Sequence, residues 1–266
     1  MDLHLNGKRA LVTGGSRGIG RAIARQLALE GADVVIAARD PVQLATAARE
    51  LAAETGGKIV GLTVDTALDA SVAALVKGAV EALGGLDILV NCAAAAGGVT
   101  APPKLAEMTD KAFYDDVNIK VMGYVRCARE AAPHMIAGGW GRIINISGLA
   151  ARQTGSMIGS MRNVSVAALT KNLADELGPK GINVTVVHPG MTRTEKMTER
   201  LTRQAAETGE TVAALEAKMA ANLSSQHLVD ASEIADIVAF LASPRSVAIT
   251  GDAIAAGGGA KGPIHY

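Results

Sequence analysis

Aromatic side chains are scarce in this chain. One Trp, three Tyr and two Phe make up 2% of 266 residues, which excludes an aromatic core and leaves Val, Ile, Leu, Met and Ala to fill the interior. Charge of one sign is lacking too. The formal net charge is zero, and no basic block or stripe stands out, so nothing points to nucleic acid. No apolar run approaches the length of a membrane-spanning helix, so no membrane partner is expected. Residues 1–8 are polar and lead straight into an apolar run, unlike a signal peptide. The two cysteines, Cys92 and Cys127, have no metal-site spacing and read as reduced thiols. The expected location is cytoplasmic.

What the chain has is apolar residues, 49% of the total, and 30 glycines. Apolar runs alternate with helical patterns throughout. Strands are expected over 9–13, 33–38, 59–64, 86–91, 142–147, 182–188 and 248–256. Helices are expected over 19–30, 41–55, 70–83, 113–137 and 232–242, with 165–177 forming part of another. A polar helix-forming stretch covers 195–221. Strands separated by helices of this length are the βαβ pattern of a parallel sheet, and their nearly continuous apolar character suits burial on both faces. The expectation is one domain over 1–266: a doubly wound α/β (Rossmann) sheet of about seven parallel strands with helices on both sides. No repeat or linker divides it.

The first strand runs into Thr13-Gly14-Gly15-Ser16-Arg17-Gly18-Ile19-Gly20. Glycines at 14, 18 and 20 let the backbone turn tightly and approach a pyrophosphate. The helix that follows presents free N–H groups and a partial positive charge to that anion. The strand–loop–helix context is what a dinucleotide-binding motif requires.

These residues resemble the short-chain dehydrogenase/reductase family, and the likeness extends along nearly the whole chain. Asn91-Cys92-Ala93-Ala94 is similar to that family's Asn-Asn-Ala-Gly segment. Asn118 matches its helix asparagine and Ser147 its active-site serine. Pro189-Gly190-Met191-Thr192 matches its turn beside the nicotinamide, and Thr250-Gly251 with Gly257-Gly258 its closing segment. The resemblance implies a nicotinamide cofactor held by Gly14, Ser16, Arg17, Gly18, Ile19, Gly20, Arg39, Asp65, Asn91, Pro189, Gly190, Thr192 and Thr194. Asp65 would touch the adenine; it also suits a turn or helix cap. Ser147 would polarise a substrate oxygen, Asn118 order water, and Thr192 and Thr194 hold the nicotinamide amide.

The end of the second strand bears on which cofactor binds. An acidic residue there would favour NAD through the ribose hydroxyls. Here Ala38 stands in that place, followed by Arg39 and Asp40. A guanidinium grips a 2′-phosphate through paired hydrogen bonds, and Arg17 adds a second cation. NADP(H) is therefore the preferred cofactor, with NAD(H) possible if Arg39 is a solvated charge and Asp40 holds the ribose.

One absence concerns the chemistry itself. The family carries a tyrosine about thirteen residues after the serine and a lysine four further on, the tyrosine passing a proton and the lysine lowering its pKa. Four-residue spacing puts two side chains on one helix face. Counting from Ser147 gives Ser160 and Val164; aligning on Ala167-Ala168-Leu169 gives Arg162 and Val166. Residues 148–170 contain neither a tyrosine nor a lysine, and the three tyrosines are Tyr114, Tyr124 and Tyr266. Arg162 is a candidate for stabilising a developing alkoxide, though a permanently charged guanidinium is a poor acid. His188, at a strand's C-terminal end, has the right intrinsic pKa for proton transfer and equally suits a structural role behind the cofactor. Tyr266 is a candidate to reach a neighbouring subunit.

Residues 192–230 follow the Pro-Gly turn and are expected to form a lid over the substrate. Met191, Met197, Leu201, Leu215 and Met219 suggest a mainly apolar pocket, although such spacing also suits packing. By resemblance, helices 113–137 and 165–177 form subunit contacts, giving a homodimer or homotetramer. The resulting expectation is an oxidoreductase acting on a small apolar or activated carbonyl or alcohol, with Ser147, Asn118, Arg162 and His188 as its non-standard catalytic set. The alternative is a non-catalytic NADP(H)-binding protein: a sensor, scaffold or inactive partner subunit.

Overall fold

In the computed structural model, residues 1–94 and 102–262 are described; Tyr266 lies outside them. The elements in chain order are β1 (Arg9–Thr13), α1 (Gly18–Leu29), β2 (Asp33–Ala38), α2 (Pro41–Thr55), β3 (Ile59–Thr63), α3 (Asp69–Leu83), β4 (Ile88–Asn91) and α4 (Asp110–Val117). A π-helical turn (Asn118–Met122) leads into α5 (Gly123–Ala137), then β5 (Gly141–Ile146), α6 (Met157–Leu177), β6 (Ile182–Pro189) and β7 (Thr192–Arg193). The chain continues through α7 (Glu195–Thr208), α8 (Val212–Ala220), β8 (Val229–Asp230), α9 (Ala231–Ala242) and β9 (Ala253–Ala256). Seven strands form one parallel sheet in the order β3-β2-β1-β4-β5-β6-β9.

The apolar runs explain the layers. Every residue of β4 and β5 is buried. On one face Val12, Ile36, Val90 and Ile144 pack with Ile23 and Leu27 of α1 and Val238 of α9. On the other, Leu11, Val35, Leu89 and Ile143 pack with Leu75 of α3 and Met135 of α5. Alternate strand residues thus feed opposite layers, as the two-residue pleat requires. With few aromatics, both cores are aliphatic.

Local signals set several boundaries. Asp40 caps α2, its carboxylate accepting from the N–H groups of Val42 and Gln43 at 2.9 and 3.1 Å, and Pro41 supplies a favourable first helical residue. Gly209 takes a left-handed conformation (φ 73°), which divides the expected 195–221 stretch into α7 and α8. The expected 113–137 helix begins earlier and contains the π-helical turn. That extra residue per turn rotates the residues after Asn118 relative to a regular helix.

The strand order reverses at β1 and β4, so the connections leaving their C-terminal ends run to opposite sides and open a crevice there. Beyond β6, the paired strands β7 and β8 bracket the segment that carries α7 and α8. Among the described residues, no helix is long and apolar enough to cross a membrane.

Candidate active site

A cleft of about 510 Å³ lies along this crevice, within the size range of small-molecule and cofactor sites. Gly14, Ser16, Arg17, Gly18, Ile19 and Gly20 line one end together with Ala38, Arg39 and Gln43. Two glycines have steric reasons for their places. Gly14 has φ 71°, and a Cβ there would meet the Cys92 and Ala93 backbone at 3.0 Å. A Cβ on Gly20 would lie 2.3 Å from the Gly14 carbonyl oxygen. The loop therefore folds back on itself only without side chains, leaving its N–H groups at the start of α1. One is already occupied: Gly18 N–H donates to the Glu195 carboxylate at 3.0 Å. A carboxylate at this helix N-terminus is the chain's own stand-in for an anionic ligand oxygen.

Arg17 and Arg39 are exposed beside this loop and make no ion pair among the described residues. Lys196, at the start of α7, also lines the cleft. Asp40 is engaged as the α2 cap, which takes its carboxylate away from the ribose role considered for it. Asp65 likewise acts in its own turn, accepting from Ala67 N–H at 3.0 Å; its neighbours Val64 and Thr66 face the cleft instead. Asn91 is fully buried and donates to Asn145 at 3.0 Å, so it braces β4 against β5 beneath the site.

The other end of the cleft is lined by Ser147, Ile119 and Lys120, whereas Thr194 lies beside the glycine loop, its methyl group 3.6 Å from where a Cβ on Gly18 would sit. Ser147 is 9% exposed. Its N–H donates to Val187 O at 2.8 Å, and its hydroxyl donates to the Asn163 carbonyl at 3.1 Å. Lys120 is 4% exposed. Its ammonium donates to Ser147 O at 3.0 Å and to Asn163 Oδ1 at 3.1 Å, and it lies 6.0 Å from the Tyr124 ring. Burial, helped by the positive charge of Arg162 and opposed by Cys92 and Asp116, lowers the Lys120 pKa from the ordinary 10.5 to about 7. Burial also raises the Cys92 thiol to about 11, so that cysteine is no thiolate at neutral pH.

A family model described as enoyl-(acyl carrier protein) reductase matches residues 14–261. The chain belongs to the short-chain dehydrogenase/reductase family. It is 35% identical to short-chain reductase protein NovJ of Streptomyces niveus, over 94% of this chain and 92% of the relative. It is 34% identical to 3-oxoacyl-(acyl-carrier-protein) reductase FabG of Staphylococcus aureus, over 95% and 97%. Among solved structures, L-sorbose reductase of Gluconobacter frateurii, complexed with NADPH and L-sorbose, matches with a TM-score of 0.91 at 30% identity over 98% of each chain.

In this short-chain dehydrogenase/reductase the catalytic end departs from the expected residues. The α6 residue that meets Ser147 is Asn163, and the residue one turn before it is Gly159. The pair Gly159/Asn163 is thus one residue before the first count (Ser160/Val164) and three before the second (Arg162/Val166). Arg162 is a correction: it does not line the cleft, and its guanidinium is held by both oxygens of Asp116 at 2.8–2.9 Å, which neutralises it. Asn118 is also turned aside. Its Oδ1 accepts from Arg126 at 2.8 Å and its amide reaches Ala67 O at 3.5 Å, so it secures the π-helical turn. His188 is 1% exposed in β6, in register with Ala255, and lies outside the cleft lining.

Pro189 ends β6, and Gly190 N–H donates to Ala256 O at 3.1 Å. Thr192 donates to Gly190 O at 3.1 Å. These three build the turn that delivers Thr194, while Thr194 itself reaches the cleft. Leu201 and Leu215 are buried at 1% and 6%, so they pack the 192–230 segment, whereas Met191 remains 41% exposed. Sequence reasoning missed Lys120 and Asn163. The available signal was a lysine in the otherwise apolar run Ile119-Lys120-Val121-Met122.

Proposed function

We propose that this protein is an NADP(H)-dependent oxidoreductase that interconverts a small carbonyl compound and its alcohol. The observation that carries this reading is one continuous cleft running from Arg39 and the glycine loop to Ser147 and Lys120. The residues present fit the dinucleotide. The loop's crossing of Gly14 and Gly20 leaves room for a pyrophosphate, Gly18 N–H already holds an anionic oxygen, and Arg17 and Arg39 offer unpaired charge for a 2′-phosphate. When bound, the dinucleotide supplies or accepts the hydride. Thr194, beside Gly18 of the glycine loop, holds the dinucleotide there, Ser147 orients the substrate oxygen, and the 192–230 segment covers the substrate. The cofactor found with the sorbose reductase supports the same choice of NADPH.

The test is NADPH binding and NADPH consumption in one preparation, against ketones, diketones, quinones and enones. Binding with turnover on a carbonyl class is expected. Tight binding without turnover on any class would instead favour a cofactor sensor or partner subunit. A homodimer or homotetramer is part of the proposal: Met161 and Val164 on α6 are 42% and 51% exposed, apolar surface suited to a second copy. Light scattering on the purified protein reads this directly.

A further inference from the structure

We propose that Lys120 of the π-helical turn is the proton donor to the substrate oxygen, in place of the absent tyrosine. This rests on the oxidoreductase reading above. Three features support it. Lys120 lines the cleft beside Ser147, its ammonium bonded to Ser147 O, where a substrate oxygen is to be oriented. Two of its three donor hydrogens are accounted for by Ser147 O and Asn163 Oδ1, leaving one for a ligand. Its position is imposed by the fold: the π-helical turn rotates Lys120 inward, and Asn118 with Arg126 fixes that turn from behind.

Other groups near Ser147 are poor donors for specific reasons. Tyr124 is buried and its hydroxyl donates to Ile146 O at 2.8 Å. Arg162 is paired with Asp116 and stays charged. Cys92 holds its proton tightly because burial raises its pKa. The charged and titratable groups that face Lys120 are therefore Arg162 with its partner Asp116, Cys92 and Tyr124. Arg162 and Asp116 oppose one another, so burial dominates and the ammonium is an acid of the right strength near neutrality.

The step balances. As the carbonyl carbon receives hydride, the C=O π pair moves to oxygen, and a new O–H bond forms with a proton leaving Lys120 Nζ. A neutral amine remains, which regains a proton from water at the cleft mouth. In the alcohol-to-carbonyl direction the neutral amine accepts the proton instead.

The experiment uses the full chain and two variants, Lys120→Met and Lys120→Arg, with folding checked by circular dichroism. NADPH affinity should stay within about threefold in both, and kcat for carbonyl reduction should fall by about 100-fold or more. For the unaltered chain, reduction should weaken as pH rises through about 7, and this limb should vanish in Lys120→Arg. Independently of turnover, the Cε resonance of Lys120 in lysine-labelled protein, assigned by its loss in Lys120→Arg, should titrate near neutrality with NADP+ bound. Full activity in Lys120→Arg, or a resonance that titrates above pH 9, would overturn the proposal while leaving the oxidoreductase reading intact. No turnover by the unaltered chain on any carbonyl, despite NADPH binding, would overturn both.

Discussion

The two ends of the cleft are built on opposite electrostatic plans. At the glycine-loop end the polar groups are backbone N–H groups and exposed guanidinium groups, Arg17 and Arg39, which lack ion-pair partners among the described residues. At the Ser147 end the polar groups are buried and engaged, Ser147 with Asn163 and Lys120 with both, with the half-buried Arg162–Asp116 pair behind them. An exposed, unpaired cation costs little to maintain and gains most from a strongly charged ligand. A buried ammonium loses hydration, so its proton becomes easy to remove. The first plan suits holding a ligand and the second suits moving a proton.

The largest expected effect separates the two ends. Replacing Arg39 with Ala removes a charge-assisted contact worth about 1.5–3 kcal/mol, so NADPH should bind roughly 10- to 100-fold more weakly while NADH changes little. Isothermal titration with both cofactors checks this, and equal losses would mean that Arg39 does not read the 2′-phosphate. A second change acts only at the Ser147 end. In Asn163→Asp, a carboxylate replaces the amide oxygen that accepts from Lys120, which favours the ammonium. The pH at which carbonyl reduction declines should move upward, by about one to three pH units if the pairing matches typical carboxylate–cation shifts, with cofactor affinity little altered. A profile that does not move would detach Lys120 from the titration.

A third effect is on stability. Lys120 has a pKa of about 7 in the folded protein against 10.5 when free. Between these values the unfolded chain holds a proton that the folded chain has released. Stability from this group therefore rises with pH across that window and levels off on either side. Chemical denaturation from pH 7 to pH 10.5 should show the stability of the unaltered chain rising relative to Lys120→Met. Parallel behaviour of the two would indicate an ammonium with ordinary hydration.

The contrast between the two ends also accounts for what could be read in the sequence. The glycine loop is local: a strand, three glycines and a helix follow one another, so its place in the fold and its ligand chemistry travel together in one segment. The sheet was equally legible, because alternating apolar runs report strands buried on both sides, and all seven expected strands are present. The Ser147 end is assembled from three separated segments. Lys120 sits in what reads as a regular helix, where a lone lysine ordinarily faces solvent, and only the π-helical turn reverses that. Asn163 was obscured because counting from Ser147 landed one residue late, on Ser160 and Val164, and aligning on Ala167-Ala168-Leu169 landed three late, on Arg162 and Val166. Asp40 and Asp65 had two chemically sound uses each, and hydrogen bonding to nearby N–H groups engages both in local turns or caps.

Glu195 carries a kinetic consequence. Its carboxylate, at the first turn of α7, occupies the N–H of Gly18 that a ligand phosphate would need. Loading the cleft with a phosphate at Gly18 therefore exchanges one anion for another, the Glu195 side chain giving up that N–H. Glu195→Gln, which weakens this carboxylate's hold on Gly18, is expected to change the rate at which the dinucleotide enters the cleft, as stopped-flow NADPH fluorescence would read.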